Sequence, residues 1–285
     1  MMDIEQIKAQ RAQWYSASYV LLELCKELRF KELAILEKLP PEVTDRRAKV
    51  IRCAQGYNLY VLEQNFSAFR FLQFPFMNLY YSLASYDKIP QFSFNPPTRS
   101  KQYQAWSGGG YKDRQISFDF AIDVDNYNLD EAHRDASRVK KLFDTYKLPY
   151  HLTYSGSKGF HLVIDHKWLP QIEVTQLIKM LAELTAMIKV VDNIPSIDDT
   201  IIDSRRILKL PYSYVFSNPN TGRICLPLDD KQFESFWLDL VDPEYVMHNV
   251  KIMNRGLLTR HVDQSEEQAR ASFVKMAKNF IEVKN

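Results

Sequence analysis

The sequence predicts an α+β fold, a sheet domain framed by helices. Three observations carry this. Segments with apolar residues at period two alternate with segments at helical spacing from about residue 115 onward. The two ends of the chain read as helix. Turn residues cluster between segments, in Gly108 to Gly110, in "SGSKG" and in "NPNTG". The chain has 285 residues, enough for one large domain or a core domain with a helical appendage. Hydrophobic residues make up 46% and charged residues 25%, an ordinary globular composition. Formal net charge is +2, so no chain-wide basic field attracts nucleic acid, and an anion site must come from local clustering.

Taken in order, residues 3–37 read as helix, because Trp14, Ala17, Leu21, Leu24 and Leu28 recur at helical spacing, and "LPPE" stops it. Val50, Ala54, Tyr57, Val61 and Leu62 give a second helical pattern. The aromatic-rich stretch from Asn65 to Tyr86, with Arg70 inside it, reads as a hydrophobic seam joining helices to a sheet, with base stacking as the rival. Residues 93–115, with Pro96, Pro97 and the glycine run, form a loop. "QISFDFAIDVD" is a strand, and residues 128–147 form an amphipathic helix capped by Asn128 or Asp130. Residues 150–165 are strand, glycine turn, strand, and residues 172–191 are helix. Residues 206–228 are turn-rich β structure with "NPNTGR" as a hairpin turn, and residues 265–283 close the chain as a helix. The expected division is a helical N-terminal region over 1–72, a sheet domain over 73–240, and a helical segment over 241–285 that packs on the core.

Three cysteines, Cys25, Cys53 and Cys225, stand far apart with no CxxC pair. This argues against a disulfide framework and against a cysteine zinc knuckle, and it fits a reducing setting. The start "MMDIEQIKAQRAQW" has no apolar signal core, and no apolar run reaches spanning length. A cytoplasmic protein with no membrane partner is expected, with the nucleoid or a nucleus as its site of action.

Three short stretches carry chemistry. In "IDVDNYN", period two puts Ser117, Asp119, Ala121, Asp123 and Asp125 on one strand face and Ile116, Phe118, Phe120, Ile122 and Val124 on the other. Asp123 and Asp125 then stand about 7 Å apart at their α-carbons. That reach suits a pair of divalent ions about 3.5–4 Å apart. A solvated strand end or a capping aspartate has the same appearance. In "TYSGSKGFHLVI", Gly156 and Gly159 free the backbone to turn, while Ser155, Ser157, Lys158 and His161 supply donors and charge for an anion. An ordinary hairpin is the alternative, and the order of residues is not that of a Walker loop. In "SIDDTIIDSRRILKLPYS", Asp198 or Asp199 offers a third carboxylate, and Arg206 and Lys209 add local positive charge.

Taken together and in this order, "IDVD", "SGSKGFH" and "ID" followed by "RRILKLPYS" resemble the three motifs of the archaeo-eukaryotic primase superfamily, which includes primase small subunits, primase-polymerases and bacterial end-joining polymerase domains. The resemblance runs from about Leu79 to Asp229. It implies a catalytic core over 73–240, built as a sheet of RNA-recognition-motif type with an adjoining α/β unit. It implies template-directed nucleotidyl transfer, making primers on single-stranded DNA, with repair of broken ends or a non-catalytic nucleic-acid-binding subunit as alternatives. By the same resemblance Asp123, Asp125 and Asp198 would hold two Mg²⁺ or Mn²⁺ ions, Asp198 being preferred because it directly follows Ile197. Ser155, Gly156, Ser157, Lys158, Gly159 and His161 would bind the nucleotide's phosphates, with Arg206 and Lys209 beside them. The implied partners are a DNA template, NTPs or dNTPs, and a primase large subunit or a helicase. The chain departs from small subunits in lacking a cysteine knuckle and a histidine after "LPYS". The loop Gly108 to Gly110, with Lys101, Lys112 and Arg114, is a candidate template surface.

Overall fold

A computed structural model describes residues 4–28, 30–37, 50–53, 77–87, 105, 109–200, 202–218, 221–249 and 259–281. Two helices, α1 (Ile4–Ser16) and α2 (Ser18–Glu27), come first, and then the chain enters a sheet. β1 (Lys31–Glu37), β2 (Val50–Cys53), β3 (Met77–Tyr86) and β4 (Gln115–Phe118) pair antiparallel in the order β2-β1-β3-β4, and β8 (Ile207–Lys209) also pairs with β3. A second antiparallel sheet has the order β5-β7-β6, from β5 (Phe120–Asp125), β6 (His151–Tyr154) and β7 (Gly159–Ile164). β9 (Tyr214–Asn218) and β10 (Thr221–Ile224) form a separate ribbon. The mixed, antiparallel α+β architecture is the predicted class.

The helices cover one face of the second sheet. α3 (Leu129–Thr145) starts at Asn128, whose side chain accepts from the backbone N–H of Asp130, so Asn128 is the cap. It buries Ala132, Ala136, Val139 and Phe143, and Phe143 meets Phe120 of β5 at 6.2 Å between ring centroids. α4 is Val174–Val191; two short helices, α5 (Asp230–Glu234) and α6 (Pro243–His248), precede α7 (Glu266–Ile281). α7 packs back on the core, its Phe273 ring edge-on to Phe120 at 5.6 Å. The opposite face of the sheet carries Asp123, His161, His151 and Thr153 beside the buried apolar Ala121 and Val163.

Two sequence expectations are corrected. The first helical pattern does not run to residue 37. α2 ends at Glu27, Phe30 takes a left-handed conformation (φ 64°), and the chain becomes β1. Val50–Cys53 is likewise strand, so the 1–72 region is helical only in its first part and then adds two strands to the main sheet. The physical reason is tertiary: Leu33 to Leu36 are good helix formers, but pairing with β2 and β3 on both sides overrides propensity. Ala54, Tyr57, Val61 and Leu62, and the seam as far as Phe76, lie outside the described residues. The rest of that seam is β3, the middle of the sheet.

The second correction concerns "QISFDFAIDVD". It is two strands in two sheets, with the corner at Asp119. Buried Lys31 donates to Asp119 Oδ2 (2.6 Å), while Asp119 Oδ1 accepts from the His166 N–H (3.0 Å) and Asp119 N–H donates to Leu83 O (3.1 Å). Burial pulls the Asp119 carboxyl upward, but the Lys31 charge and the His166 contact outweigh it and hold it below its ordinary value. A strand that turns a corner cannot keep one face, so Ile116, assigned to the apolar side, is 55% exposed. The N-terminal helices dock on the far side through hydrogen bonds: Trp14 Nε1 donates to Tyr212 O (3.0 Å), and Tyr214 N–H donates to the Tyr15 hydroxyl (3.0 Å).

Candidate active site

The acidic end of β5 is completed by a segment from far along the chain. Val124 bridges Ile197 antiparallel, the Asp125 N–H donates to Ser196 O (2.8 Å), and the Asp198 N–H donates to Asp123 O (2.9 Å). This register explains the sequence pattern of an apolar residue before the acid. Ile197 and Val124 are both buried on the helix side, so their neighbours Asp198 and Asp123 share the other side. Asp199 points elsewhere: its Oδ1 accepts from Lys189 Nζ of α4 at 3.0 Å. Of the two candidates for the third acid, Asp198 is the one brought beside Asp123.

On the other edge, Asp123 is in register with His161 of β7, and Asp125 with Gly159. His161 Nε2 lies 3.6 Å from Asp123 Oδ1. Burial, with help from Lys209 and Arg206, lowers the His161 pKa to about 3, so the ring is neutral and this contact is not an ion pair. Asp123, only 9% exposed, is pushed the other way, to about 7. Burial is the largest cause, then the charge of Asp125, and Asp198 adds to it, against the pull of Lys209 and Arg206. Asp123 Oδ1 and Asp125 Oδ1 are buried without hydrogen-bond partners.

Cations ring these acids. Lys158 Nζ lies 3.1 Å from Asp125 Oδ2, and Arg206 Nη2 donates to Asp198 Oδ2 at 2.7 Å. Asp198 Oδ1 accepts from both the N–H and the hydroxyl of Thr200 (3.0 and 2.6 Å). Burial raises the Asp198 carboxyl, but these two Thr200 bonds and Arg206 outweigh it and leave it below its ordinary value. Lys209 of β8 stands opposite Tyr80 of β3 and acts on Asp123 and His161 through its field. Tyr80 feels Asp123 and Asp125, and burial above all raises its hydroxyl pKa.

The glycine turn closes over Asp125. The Ser155 N–H donates to Gly159 O (2.9 Å), and the Asn126 N–H donates to Lys158 O (3.1 Å), which ties the turn to the end of β5. Gly159 is needed for this approach, because a Cβ there would sit 1.8 Å from Val124 O. Gly156 has φ +78°, and its Cβ position is filled by Val215 at 2.6 Å. Replacing Gly156 by alanine is therefore expected to destabilise the fold by about 1–3 kcal/mol through backbone strain and overlap. A denaturant midpoint within error of wild type would contradict it. Ser155 is fully buried with its hydroxyl unpartnered, and Ser157 enters through its carbonyl, which accepts from the Tyr154 hydroxyl (2.7 Å).

The sequence pattern thus converges: Asp123, Asp125, Asp198, Lys158, His161, Arg206 and Lys209 surround one sheet end. Thr200 and Tyr80 join them unforeseen. Thr200 had a signal, since aspartate two residues before a threonine suits an Asx-type turn; Tyr80 had none. The candidate template loop is only partly described. Gly109, Gly110, Lys112 and Arg114 are seen, with Arg114 paired to Asp87 at 3.4 Å, while Lys101 and Gly108 lie outside the described residues.

Among the described residues no three His, Cys, Asp or Glu side chains stand close enough to hold an ion between them as they are. The donor set nonetheless suits hard divalent cations. Three carboxylates supply oxygen ligands, two of them with an orphaned buried oxygen, and a bound cation would offset the burial and the neighbouring charge that together raise Asp123. Two of the acids are turned to Lys158 and Arg206 instead of to each other. No helix among the described residues is long and apolar enough to cross a membrane.

No family model and no curated protein sequence matches the chain. Among solved structures, the polymerase domain of Ligase D from Mycobacterium tuberculosis, in complex with DNA, matches with a TM-score of 0.58 and 11% identity. The match covers 90% of this chain and 93% of that one. At this identity the likeness is one of fold.

Proposed function

We propose that this chain is a template-directed nucleotidyltransferase of the primase-polymerase type. One observation carries the reading. Asp123, Asp125 and Asp198, drawn from two distant segments by backbone pairing, meet a glycine turn and three cations at one sheet end. The fold around that site resembles a polymerase domain that was solved with DNA bound.

In this reading the three aspartates hold two Mg²⁺ or Mn²⁺ ions. When bound, such ions lower the pKa of an attacking 3′-hydroxyl and neutralise charge on the departing pyrophosphate. The chain's own groups do the rest. Lys158 and Arg206 offer mobile positive charge to the β and γ phosphates, and Lys209 keeps the site's field positive on that side. Neutral His161 offers a ring N–H, and the buried Ser155 hydroxyl a second donor whose partner is missing from the protein itself. A nuclease would need clustered acids but no such grip on a triphosphate.

The partner is a DNA template with its primer end, and the substrates are NTPs or dNTPs. Extension of an existing DNA end is favoured over primer synthesis, because a solved structure of similar fold is the polymerase domain of a ligase. The test is incubation with template, labelled NTPs or dNTPs and Mg²⁺ or Mn²⁺, with no primer, with a primer, and with a gapped duplex. Extension of a DNA end is the expected result. Dinucleotides made without primer would shift the reading to priming, and no metal-dependent incorporation on any substrate would reject it.

A further inference from the structure

We infer that Lys158 and Arg206 occupy the acid cluster as counter-ions in the nucleotide-free protein, so that divalent ions and nucleotide enter together by an exchange of ion-pair partners. This rests on the polymerase reading of the site. Two of the three carboxylates are each held by a cation that the sequence pattern assigns to phosphate: Asp125 by Lys158 at 3.1 Å and Asp198 by Arg206 at 2.7 Å. The third, Asp123, has no cation within ion-pair distance among the described residues; the neutral His161 ring lies 3.6 Å from it. This arrangement accounts for the lack of a ready-made metal cluster at a place where three acids crowd.

The pairs are built to be released. Side-chain exposure is 41% and 23% for Lys158 and Asp125, and 28% and 33% for Arg206 and Asp198. Pairs this accessible shift an equilibrium by roughly two- to fivefold, so a better partner displaces them. The same Lys158 Nζ also lies 5.1 Å from the centroid of the Tyr127 ring, which is 97% exposed, so an open surface flanks the pair. A polyphosphate offers both cations stronger, charge-assisted bonds. Once they move to it, Asp125 and Asp198 face Asp123 uncompensated, and a divalent ion then binds where repulsion is greatest. By linkage, the ion and the nucleotide must each tighten the other.

The test reads Mn²⁺ binding by electron paramagnetic resonance of the free ion. It uses wild type, Lys158→Met, Arg206→Met, Lys209→Met and Asp123→Asn, each with and without a non-hydrolysable nucleoside triphosphate. Lys158→Met and Arg206→Met are expected to bind Mn²⁺ alone roughly two- to fivefold more tightly than wild type. The tightening caused by nucleotide, about tenfold in wild type, should shrink in both. Lys209 supplies the control, since its charge acts on Asp123, the neighbour of those acids, without an ion pair among the described residues. Its removal should change Mn²⁺ affinity less than either of the others.

Equal gains in all three variants would mean that overall charge suffices, and would overturn the exchange. Unchanged or weaker Mn²⁺ binding in Lys158→Met and Arg206→Met would overturn it too. Wild type that binds Mn²⁺ no better than Asp123→Asn, with or without nucleotide, would instead overturn the polymerase reading. Lys158→Gln repeats the comparison with a polar side chain, so that a folding defect in one variant leaves the other to decide.

Discussion

Asparagine at position 123 is expected to lower nucleotide incorporation by about 10³-fold, while binding of template DNA persists. The size follows from the several kcal/mol that metal ions contribute to transition-state charge, at about 1.36 kcal/mol per decade of rate. The amide keeps the shape of the carboxyl but not its charge, and it sits at the centre of the cluster, between His161 on one strand and Asp198 on the other. Asp198→Asn should lose activity comparably. Asp199→Asn is the internal control: that residue pairs with Lys189 on the surface, and its loss should leave incorporation within about twofold of wild type, as for an exposed ion pair. DNA binding by fluorescence anisotropy, measured beside primer extension, separates loss of chemistry from loss of substrate. Extension by Asp123→Asn at more than a tenth of the wild-type rate would remove Asp123 from the catalytic role.

The parts of this site that were legible in the sequence are those fixed by strand geometry. Asp123 and Asp125 flank Val124 because period two forces them onto one side. The choice of Asp198 after Ile197 comes from the family resemblance and not from spacing, and the Val124–Ile197 bridge gives it a structural reason. The glycine turn was legible because Gly156 and Gly159 stand where a side chain has no room. What stayed hidden depends on contacts between distant segments. No local pattern announces that Phe30 adopts a left-handed backbone, that Lys31 will be buried against Asp119, or that the chain changes sheet there. Nor does any spacing rule say that Lys158 and Arg206 lie against Asp125 and Asp198.

The burial of Asp123, together with the crowding of these acids, has a consequence for stability that can be measured without any substrate. A carboxyl that titrates near 7 in the fold and near 3.9 in the unfolded chain is protonated in the native state at pH values where the unfolded state has released the proton. The contribution of Asp123 to stability then falls as pH rises from about 4 to about 7 and is flat above, because its native carboxyl keeps a proton that the unfolded chain has released across that window. The difference of roughly three units amounts to roughly 2–4 kcal/mol. Asparagine at 123 cannot lose a proton and also spares Asp125 and Asp198 a neighbouring charge. Asp123→Asn should therefore be the more stable protein at pH 8 in the absence of divalent ions, by several degrees in Tm. Its advantage should dwindle toward pH 4, where the native aspartate is neutral as well. Thermal unfolding of both proteins in chelator at pH 4, 6 and 8 tests this. An asparagine variant no more stable than wild type at pH 8 would show that burial and neighbouring charge do not make ionised Asp123 costly enough to need a cation. A widening gap with pH would show that the fold tolerates Asp123 at a cost, and a residue kept at such a cost is one retained for binding and not for packing.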